Sequence, residues 1–337
     1  MSKRRLSKRQ QSRIAENQRR ELSEKLGQAD AADTTSKNKC NGRIISHFGQ
    51  QLDVESLDSA HAGKIIRCHQ RANLPTLVTG DRVLWELDGS DTGVILALGE
   101  RRNLFGRPSA AGNFRPVAAN IDLVLVIISP LPPPFMNLID RYLVAIECLG
   151  LELLLVLNKI DMLDSGDPSE LDNMLSVYAS IGYGLHRVSA LDGSGIDQLE
   201  ASLSGKTTVL VGQSGVGKSS LINRFGLDAI AVVGPLSSGK AKGTHTTTTA
   251  KLFHLANYDL IDSPGIREFS LGHINQQQLF EGFIEFRALV GKCKFRDCSH
   301  RTEPECAIQQ AVANGEIHQQ RLDSYFQILL SMENPVR

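Results

Sequence analysis

Three short polar motifs, each directly after an apolar run, constrain the fold of this chain more than any other feature. Asn-Lys-Ile-Asp stands at 158–161, Gly-Gln-Ser-Gly-Val-Gly-Lys-Ser at 212–219 and Asp-Ser-Pro-Gly at 262–265. Nearly continuous apolar runs, such as 151–157, are typical of parallel strands that are covered on both faces. Ligands of open α/β sheets bind at the carboxyl ends of such strands. The sequence therefore predicts a mostly parallel sheet whose edge brings the three motifs together around one ligand.

The motif at 212–219 predicts a loop that binds phosphate groups. Its glycines let backbone N–H groups turn toward phosphate oxygens, Lys218 supplies a positive charge at the β- and γ-phosphates, and Ser219 offers a hydroxyl to Mg²⁺. A chance glycine-rich turn is the alternative, but a β-prone run precedes the motif and a helix is predicted after it, as in known phosphate loops. The predicted phosphate-binding residues are Gly212, Gln213, Ser214, Gly215, Val216, Gly217, Lys218, Ser219 and Ser220.

The motif at 158–161 indicates which base accompanies the phosphates. The carboxylate of Asp161 can accept hydrogen bonds from the N1–H and the exocyclic amine of guanine, a pair of donors that adenine lacks. A Ser-Ala loop at 189–190 follows another predicted strand and fits the loop that contacts the guanine carbonyl. The predicted base-binding residues are Asn158, Lys159, Asp161, Ser189 and Ala190. The predicted ligand is therefore GTP.

The third motif predicts groups that act on the γ-phosphate. Asp262 is expected to hold the Mg²⁺ shell through water, and the amide of Gly265 is expected to contact the γ-phosphate. Ile266 stands where many GTPases carry a glutamine that orients the attacking water. Slow intrinsic hydrolysis, or a substitute group from another segment or a partner, is the expected consequence.

A threonine-rich stretch, Gly-Thr-His-Thr-Thr-Thr-Thr at 243–249, offers such a substitute. We predict that Thr247 binds Mg²⁺, with Thr246 and Thr248 as alternatives. His245 could position or activate the attacking water, although an exposed loop histidine without a partner is the alternative. The predicted catalytic residues are His245 and Lys218, and the predicted Mg²⁺ ligands are Ser219, Thr247 and Asp262.

Three thiols and one imidazole near the C-terminus predict a metal site. Cys293, Cys298, His300 and Cys306 lie within fourteen residues, and thiolate with neutral imidazole suits tetrahedral Zn²⁺. Four protein ligands leave no position for a substrate, so one structural zinc ion is expected. Free cysteines beside a surface histidine are the alternative, and disulfides are disfavoured in a cytosolic enzyme.

The order of the motifs and these two stretches together resemble a known family. In an ordinary P-loop GTPase the phosphate loop comes first and Asn-Lys-x-Asp comes late, so this domain is expected to be circularly permuted. The order, the Gly-Thr-His-Thr-Thr-Thr stretch and the zinc spacing resemble the RsgA family of bacterial GTPases, and the resemblance covers nearly the whole chain. It implies GTP hydrolysis stimulated by the small (30S) ribosomal subunit, a late role in the maturation of that subunit, and a catalytic part for His245.

The predicted fold is multidomain α/β. Short β-prone runs between 41 and 107 suit a small barrel, which the resemblance makes an OB-fold. The expected order is a basic, disordered arm and linker at 1–39, the OB-fold barrel at 40–110, a circularly permuted P-loop GTPase domain with a mostly parallel sheet at 111–272, and a helical zinc-binding domain at 273–337. The basic side chains of the barrel are candidates for phosphate contacts, although each alone is more typical of a solvated surface charge: Arg43, Lys64, Arg67, Arg71 and Arg82. Trp85 fits either the barrel core or a stacking position.

Charge is concentrated at one end of a neutral chain. Residues 1–25 hold nine Lys or Arg against three Glu, whereas the whole chain has 37 basic and 37 acidic residues. This uneven distribution of charge predicts an arm that binds a polyanion, with a solubilising tail as the alternative. No apolar run reaches a membrane span of about 18 residues. The expected partners are the small subunit with its 16S rRNA and GTP or GDP, and neither DNA nor a membrane is expected. The protein is expected to be a monomer in the cytoplasm.

Two other hypotheses compete with this one. A GTP-dependent switch that acts on a protein partner would use the same nucleotide motifs, but it would not need the barrel, the arm and the zinc site together. An RNA-binding scaffold with a purely structural phosphate loop would not turn over GTP.

Overall fold

The chain forms two compact units. The computed structural model describes residues 40–48, 50–59, 61–89, 91–108, 114–163, 170–226, 250–262, 271 and 274–333. Of these, the first unit contains the residues up to Leu104 together with Pro116–Asn120 and 250–252, and the second contains the others. The basic arm and linker predicted at 1–39 lie outside the described residues, and the domain limits at 110 and 272 stay predictions.

The first unit is built on a closed five-stranded barrel. Its strands are β1 (Gly42–Phe48), β2 (Gln51–Ser56), β3 (Ile65–Gln70), β4 (Arg82–Leu87) and β5 (Thr92–Leu98). They pair in the order β1-β2-β3-β5-β4, and β4 returns to pair with β1, so the sheet closes. Only the β3–β5 pair among them is parallel. The predicted OB-fold barrel is confirmed.

The barrel interior is filled by alternate residues of the strands, as a period of two requires. Ile44, Val54 and Ile95 are fully buried, and Trp85 is only 6% exposed. Trp85 therefore belongs to the core, and its indole N–H donates to the Asn41 carbonyl at 3.1 Å.

The basic side chains proposed for phosphate contacts differ in their availability. Arg43 is buried, only 6% exposed, so both alternatives given for it, a phosphate contact and a solvated surface charge, were wrong. Arg67 is partly exposed but pairs with Asp53 at 3.0 Å. Lys64 and Arg82 are exposed on the barrel surface.

Segments from later in the chain complete the first unit. Thr79 is fully buried and donates its hydroxyl to the Ala250 carbonyl at 2.9 Å. Ser46 of β1 pairs with Lys251, the first residue of β12 (Lys251–His254). The amide of Asn120 donates to the Gly80 carbonyl at 2.9 Å. A separate two-stranded sheet pairs β6 (Leu104–Pro108) with β7 (Phe114–Ala119).

A parallel sheet forms the centre of the second unit. Its strands are β8 (Leu123–Ile128), β9 (Glu152–Leu157), β10 (Leu185–Arg187), β11 (Thr207–Val211) and β13 (Asp259–Asp262). They lie in the order β10-β9-β8-β11-β13, and each neighbouring pair is parallel. The helices of this part are α1 (Met136–Glu147), α2 (Glu170–Ile181), α3 (Ile196–Leu203) and α4 (Lys218–Arg224). All six residues of β8 are buried, as expected for a central strand.

The C-terminal part of the second unit is helical. It contains α5 (Gln276–Gly282), a 3₁₀ helix (Ile284–Leu289), α6 (Ala307–Ala313) and α7 (Gln319–Glu333). α5 ends at Gly282, where an added Cβ would lie 2.7 Å from Val144 of α1. The rings of Phe283, Phe286 and Tyr325 pack with centroids 5.0–5.6 Å apart. All three aromatic residues are fully buried, so they form core and not a base-stacking surface.

A buried ion cluster ties α7 to α1 and α2. Arg321 of α7 is fully buried and donates to Asp140 of α1, which is also fully buried. Its other nitrogens donate to both carboxylate oxygens of Glu285 at 2.7 and 3.0 Å. Tyr178 of α2 donates its hydroxyl to Asp140 at 2.7 Å. No described helix is long and apolar enough to cross a membrane.

Candidate functional site

The parallel strands deliver the predicted motifs to one edge of the sheet. β9 ends directly before Asn158, β11 directly before Gly212, and β13 ends at Asp262. Because neighbouring strands are parallel, their carboxyl ends lie at the same edge. Motifs that are far apart in the chain are therefore adjacent in space.

The phosphate loop takes a conformation that requires glycine. Gly212 and Gly217 have φ angles of 143° and 90°. An added Cβ would lie 2.3 Å from the Ile127 carbonyl oxygen at the first position, and 2.3 Å from the Asn158 side-chain nitrogen at the second. Val216 of this loop is only 2% exposed and packs in the core, which anchors the loop.

Lys218 places its positive charge inside the loop. Its Nζ donates to the carbonyl oxygens of Gly212 at 2.6 Å and Gln213 at 2.7 Å. Burial raises the pKa of Asp262, and the charge of Lys218 opposes that shift. Asp262 and Lys218 are thus close enough to interact, so the third motif faces the phosphate loop. Ser214, Ser219 and Ser220 are exposed at this edge.

One buried side chain joins three of the segments. Asn158 is 1% exposed, and its Nδ2 donates to the Val216 carbonyl at 2.9 Å. Its Oδ1 accepts from the Ala190 backbone N–H at 3.1 Å. The base-reading motif, the phosphate loop and the Ser-Ala loop therefore hold one another in place.

Lys159 adds a second link to the phosphate loop. It has a left-handed backbone conformation with φ of 63°. Its Nζ donates to the carbonyl oxygens of Gly215 at 2.7 Å and Leu131 at 2.8 Å. The alkyl part of this side chain consequently extends across the site from the base-reading motif to the loop.

The carboxylate of Asp161 is oriented by its neighbour. Ser189 is fully buried and donates its hydroxyl to Asp161 at 2.6 Å. The same hydroxyl accepts from the backbone N–H groups of Leu191 and Asp192, both at 3.2 Å. Asp161 itself is exposed, so its second oxygen can accept from a ligand. A fixed and accessible carboxylate is what discrimination for guanine needs.

Part of the predicted site lies outside the described residues. His245, Thr247 with its alternatives Thr246 and Thr248, Gly265 and Ile266 all fall there. Their assignments stay predictions. The support that Leu131 gives to Lys159 was not predicted, because a backbone acceptor in a proline-rich loop leaves no signal in the side-chain pattern.

The four predicted metal ligands lie together. The donor atoms of Cys293, Cys298, His300 and Cys306 are all within 4.8 Å of one another. His300 Nδ1 lies 3.5 Å from the sulfurs of Cys293 and Cys306, and these two sulfurs are 4.0 Å apart. A tetrahedral zinc ion with ordinary bond lengths would separate S and N by about 3.5 Å and two sulfurs by about 3.8 Å. The spacing fits, so this Cys3His cluster could hold a metal ion.

Local contacts orient the histidine of this cluster. His300 has φ of 62°, its carbonyl accepts from the Gln309 side chain at 2.6 Å, and its ring lies 5.2 Å from that of Phe280. Burial lowers the pKa of His300, which favours the neutral ring that a metal requires. Glu303 accepts from the backbone N–H groups of Ser299 and Arg301, and these bonds order the loop between the ligands.

Comparison with known proteins gives concordant results. A family model described as RsgA GTPase matches residues 98–272. A "Small ribosomal subunit biogenesis GTPase RsgA" of Pseudomonas fluorescens (strain SBW25) is 50% identical over 292 residues, which is 86% of this chain and 85% of the relative. A protein with the same name from Azotobacter vinelandii is 51% identical over 296 residues, covering 88% and 86% of the two chains.

Solved structures agree with the sequence relatives. The crystal structure of YjeQ from Thermotoga maritima matches with a TM-score of 0.71 and 31% identity, covering 88% of this chain and 99% of that one. A structure described as YloQ, a circularly permuted GTPase, matches with a TM-score of 0.69 and 26% identity, covering 90% and 99%. The predicted circular permutation is confirmed, and so is GTP hydrolysis as the activity. With the guanine and phosphate motifs assembled at one sheet edge, the chain belongs to the RsgA GTPase family.

Proposed function

We propose that this chain binds the small (30S) ribosomal subunit, hydrolyses GTP to GDP and phosphate when the subunit stimulates it, and assists late maturation of that subunit. The relatives named above carry that subunit in their names. The observation that carries the nucleotide part is the hydrogen bonding of Asn158, which links the base-reading segment to the phosphate loop and the Ser-Ala loop. Such a linked site can read the base and bind the phosphates of one nucleotide.

In this proposal the base-reading residues act by binding and exclusion. Asp161, oriented by Ser189, accepts from guanine, and an adenine nucleotide would leave this carboxylate unpaired. Lys159 covers the base with its alkyl chain, while its ammonium stays on the loop carbonyls. The residues proposed to bind GTP, through its base or its phosphates, are Asn158, Lys159, Asp161, Ser189, Ala190, Gly212, Gln213, Ser214, Gly215, Val216, Gly217, Lys218, Ser219, Ser220, Asp262 and Gly265.

Catalysis in this proposal rests on positioning and on charge stabilisation. Lys218 neutralises charge on the β- and γ-phosphates, and Ser219, Thr247 and Asp262 would hold Mg²⁺. The bound Mg²⁺ would neutralise charge that develops on the phosphate oxygens. His245 positions the attacking water, because Ile266 cannot do so. Slow basal turnover and a stimulated rate that depends on the subunit follow from this arrangement.

Other parts of the chain serve attachment in this proposal. Zn²⁺ held by Cys293, Cys298, His300 and Cys306 stabilises the C-terminal helical part. The basic arm at 1–39 and the barrel contact phosphates of 16S rRNA, which predicts that attachment weakens as salt rises. The protein would work as a monomer in the cytoplasm, without binding DNA or membrane.

One assay tests the proposal. Hydrolysis of GTP and of ATP is measured with and without purified small subunits, for the natural chain and for the Lys218→Ala and His245→Ala variants. We expect GTP turnover that rises with added subunits, no turnover in Lys218→Ala, and retained binding without stimulation in His245→Ala. A GTP rate that subunits leave unchanged would reject the ribosomal role, and normal stimulation of His245→Ala would reject its catalytic assignment.

A further inference from the structure

A groove of about 960 Å³ lies next to the base-reading segment. It is lined by the start of α1, by α2 and by α7, and also by Leu163, two residues after Asp161. All of these belong to the second unit. The residues of the guanine and phosphate site do not line it, so this groove is a separate feature with its own ligand chemistry.

One wall of the groove is apolar and adaptable. It carries Phe135, Met136, Leu171 and Met174. Phe135 is 56% exposed, which places a large aromatic surface in contact with water. Methionine side chains adjust to varied partners, and exposed apolar surface in a concave site is typical of a binding surface. An apolar anchor on a partner would bury this wall.

Other residues of the lining are polar, and the carboxylates of Glu170 and Asp323 give the groove negative charge. α7 contributes polar side chains including Asp323, and Glu170 lies at the start of α2. No lysine or arginine is among the described residues that line the groove. This charge repels the phosphate backbone of RNA and attracts a cationic partner. The groove therefore differs from the basic surfaces expected to contact rRNA.

We propose that this groove docks a lysine- or arginine-bearing peptide segment of a protein of the small ribosomal subunit. Apolar side chains of the segment pack on Phe135 and Met174, and its cations lie near Glu170 and Asp323. Amphipathic segments bind apolar grooves in this manner, with a few anchors on one face. The identity of the partner rests on the proposed function, whereas the chemistry of the groove does not. A protein contact beside Leu163, two residues after Asp161, gives the subunit a route to the nucleotide site that does not pass through RNA.

The first test measures peptide binding by the full chain alone. Overlapping synthetic peptides that cover every protein of the small subunit are probed with the natural chain and with Phe135→Glu, Asp323→Lys and Leu330→Glu. Leu330 is also exposed on α7, at 55%, but does not line the groove, so it is the matched control. We expect capture of basic peptides with apolar residues, a loss of affinity of about tenfold or more in the first two variants, and less than about a twofold change in the control. No capture, or equal capture by all four proteins, would overturn the proposal.

The second test examines the assembled complex. A benzophenone amino acid replaces Gln327, which lines the groove, or Leu330, three residues further along the same helix. Each protein is bound to small subunits with a non-hydrolysable GTP analogue and then irradiated. Crosslinks from position 327 to a basic protein segment support the proposal, and crosslinks to rRNA, or none in a complex that sediments, overturn it. Failure of the natural chain to sediment with subunits would count against the proposed function instead. The peptide measurements would then decide whether the groove binds a basic peptide.

Discussion

Replacing Arg321 by methionine tests how strongly the C-terminal helices depend on the GTPase part. Arg321 is fully buried, and its guanidinium lies 4.4 Å from the Phe283 ring centroid. Methionine keeps most of the apolar contact but leaves Asp140 buried without its cation. Removing one partner of a buried ion pair costs about 3–5 kcal/mol. At roughly 2–4 °C per kcal/mol for a domain of about 150–250 residues, Tm should fall by at least about 6 °C.

The pH dependence separates this electrostatic cost from a simple packing defect. Burial raises the pKa of Asp140, and Arg321 opposes that shift. A carboxyl group with a raised pKa binds more protons in the folded state, so stability falls as pH rises from the unfolded pKa through the folded one. Without Arg321 the pKa of Asp140 in the folded state rises further, so the pH range over which stability falls extends upward. Arg321→Met should therefore lose more stability at pH 8 than at pH 5.

Two comparison variants complete the experiment, with unfolding followed by circular dichroism. Asp140→Asn/Arg321→Met removes the charges of both fully buried residues and should recover part of the loss, because only Glu285 then lacks its cation. Arg287→Met breaks the more exposed pair with Glu147, where the arginine is 47% exposed, and should cost at most about 1 kcal/mol. A cost below about 1 kcal/mol for Arg321→Met, or a loss that does not change with pH, would refute the reasoning.

Three further variants test the nucleotide and metal sites. Gly217→Ala should lower GTP affinity at least tenfold by titration calorimetry, because its Cβ would displace Asn158, whereas Gly226→Ala, with a similar φ of 87° but nothing within 4 Å, should change it little; equal effects would argue against the steric cause. Asp161→Asn should weaken GTP binding by about 10⁴-fold relative to a xanthine nucleotide, whose second oxygen accepts from the new amide; unchanged preference would show that Asp161 does not read the base. Cys298→Ser should lower the zinc content measured by mass spectrometry and increase proteolysis near 291–306 without abolishing GTP binding, and full zinc occupancy would contradict the assigned ligand set.

The sequence was most informative where local pattern and burial coincide. The apolar run at 151–157 predicts a parallel strand covered on both faces, and β9 occupies Glu152–Leu157 of that run. The guanine and phosphate motifs were also readable, since their chemistry depends on residue types at fixed spacing. The Cys3His set was found in the same way.

Features that depend on distant partners were not readable. Arg43 looks like any surface cation in a β-strand, and only barrel closure buries it. Gly282 at the end of α5 packs against Val144, more than a hundred positions earlier, and no local pattern indicates that contact. Arg321 and Asp140 are 181 residues apart, so no local pattern pairs them. In each case the environment of the residue is set by residues that are distant in the chain.

Because residues 250–252 belong to the barrel unit, the chain limits the distance between Ala250 and Thr247, the residue proposed to bind Mg²⁺. The Thr79 hydroxyl and the β1 pairing hold Ala250 and Lys251 within that unit. Thr247 precedes Ala250 by only three residues, and three residues span about 10 Å at full extension. The covalent chain therefore keeps the threonine that is proposed to bind Mg²⁺ within about 10 Å of Ala250. Glycines inserted between Thr247 and Ala250 should leave the barrel and the phosphate loop intact while they lengthen the covalent connection between Ala250 and the proposed Mg²⁺ ligand.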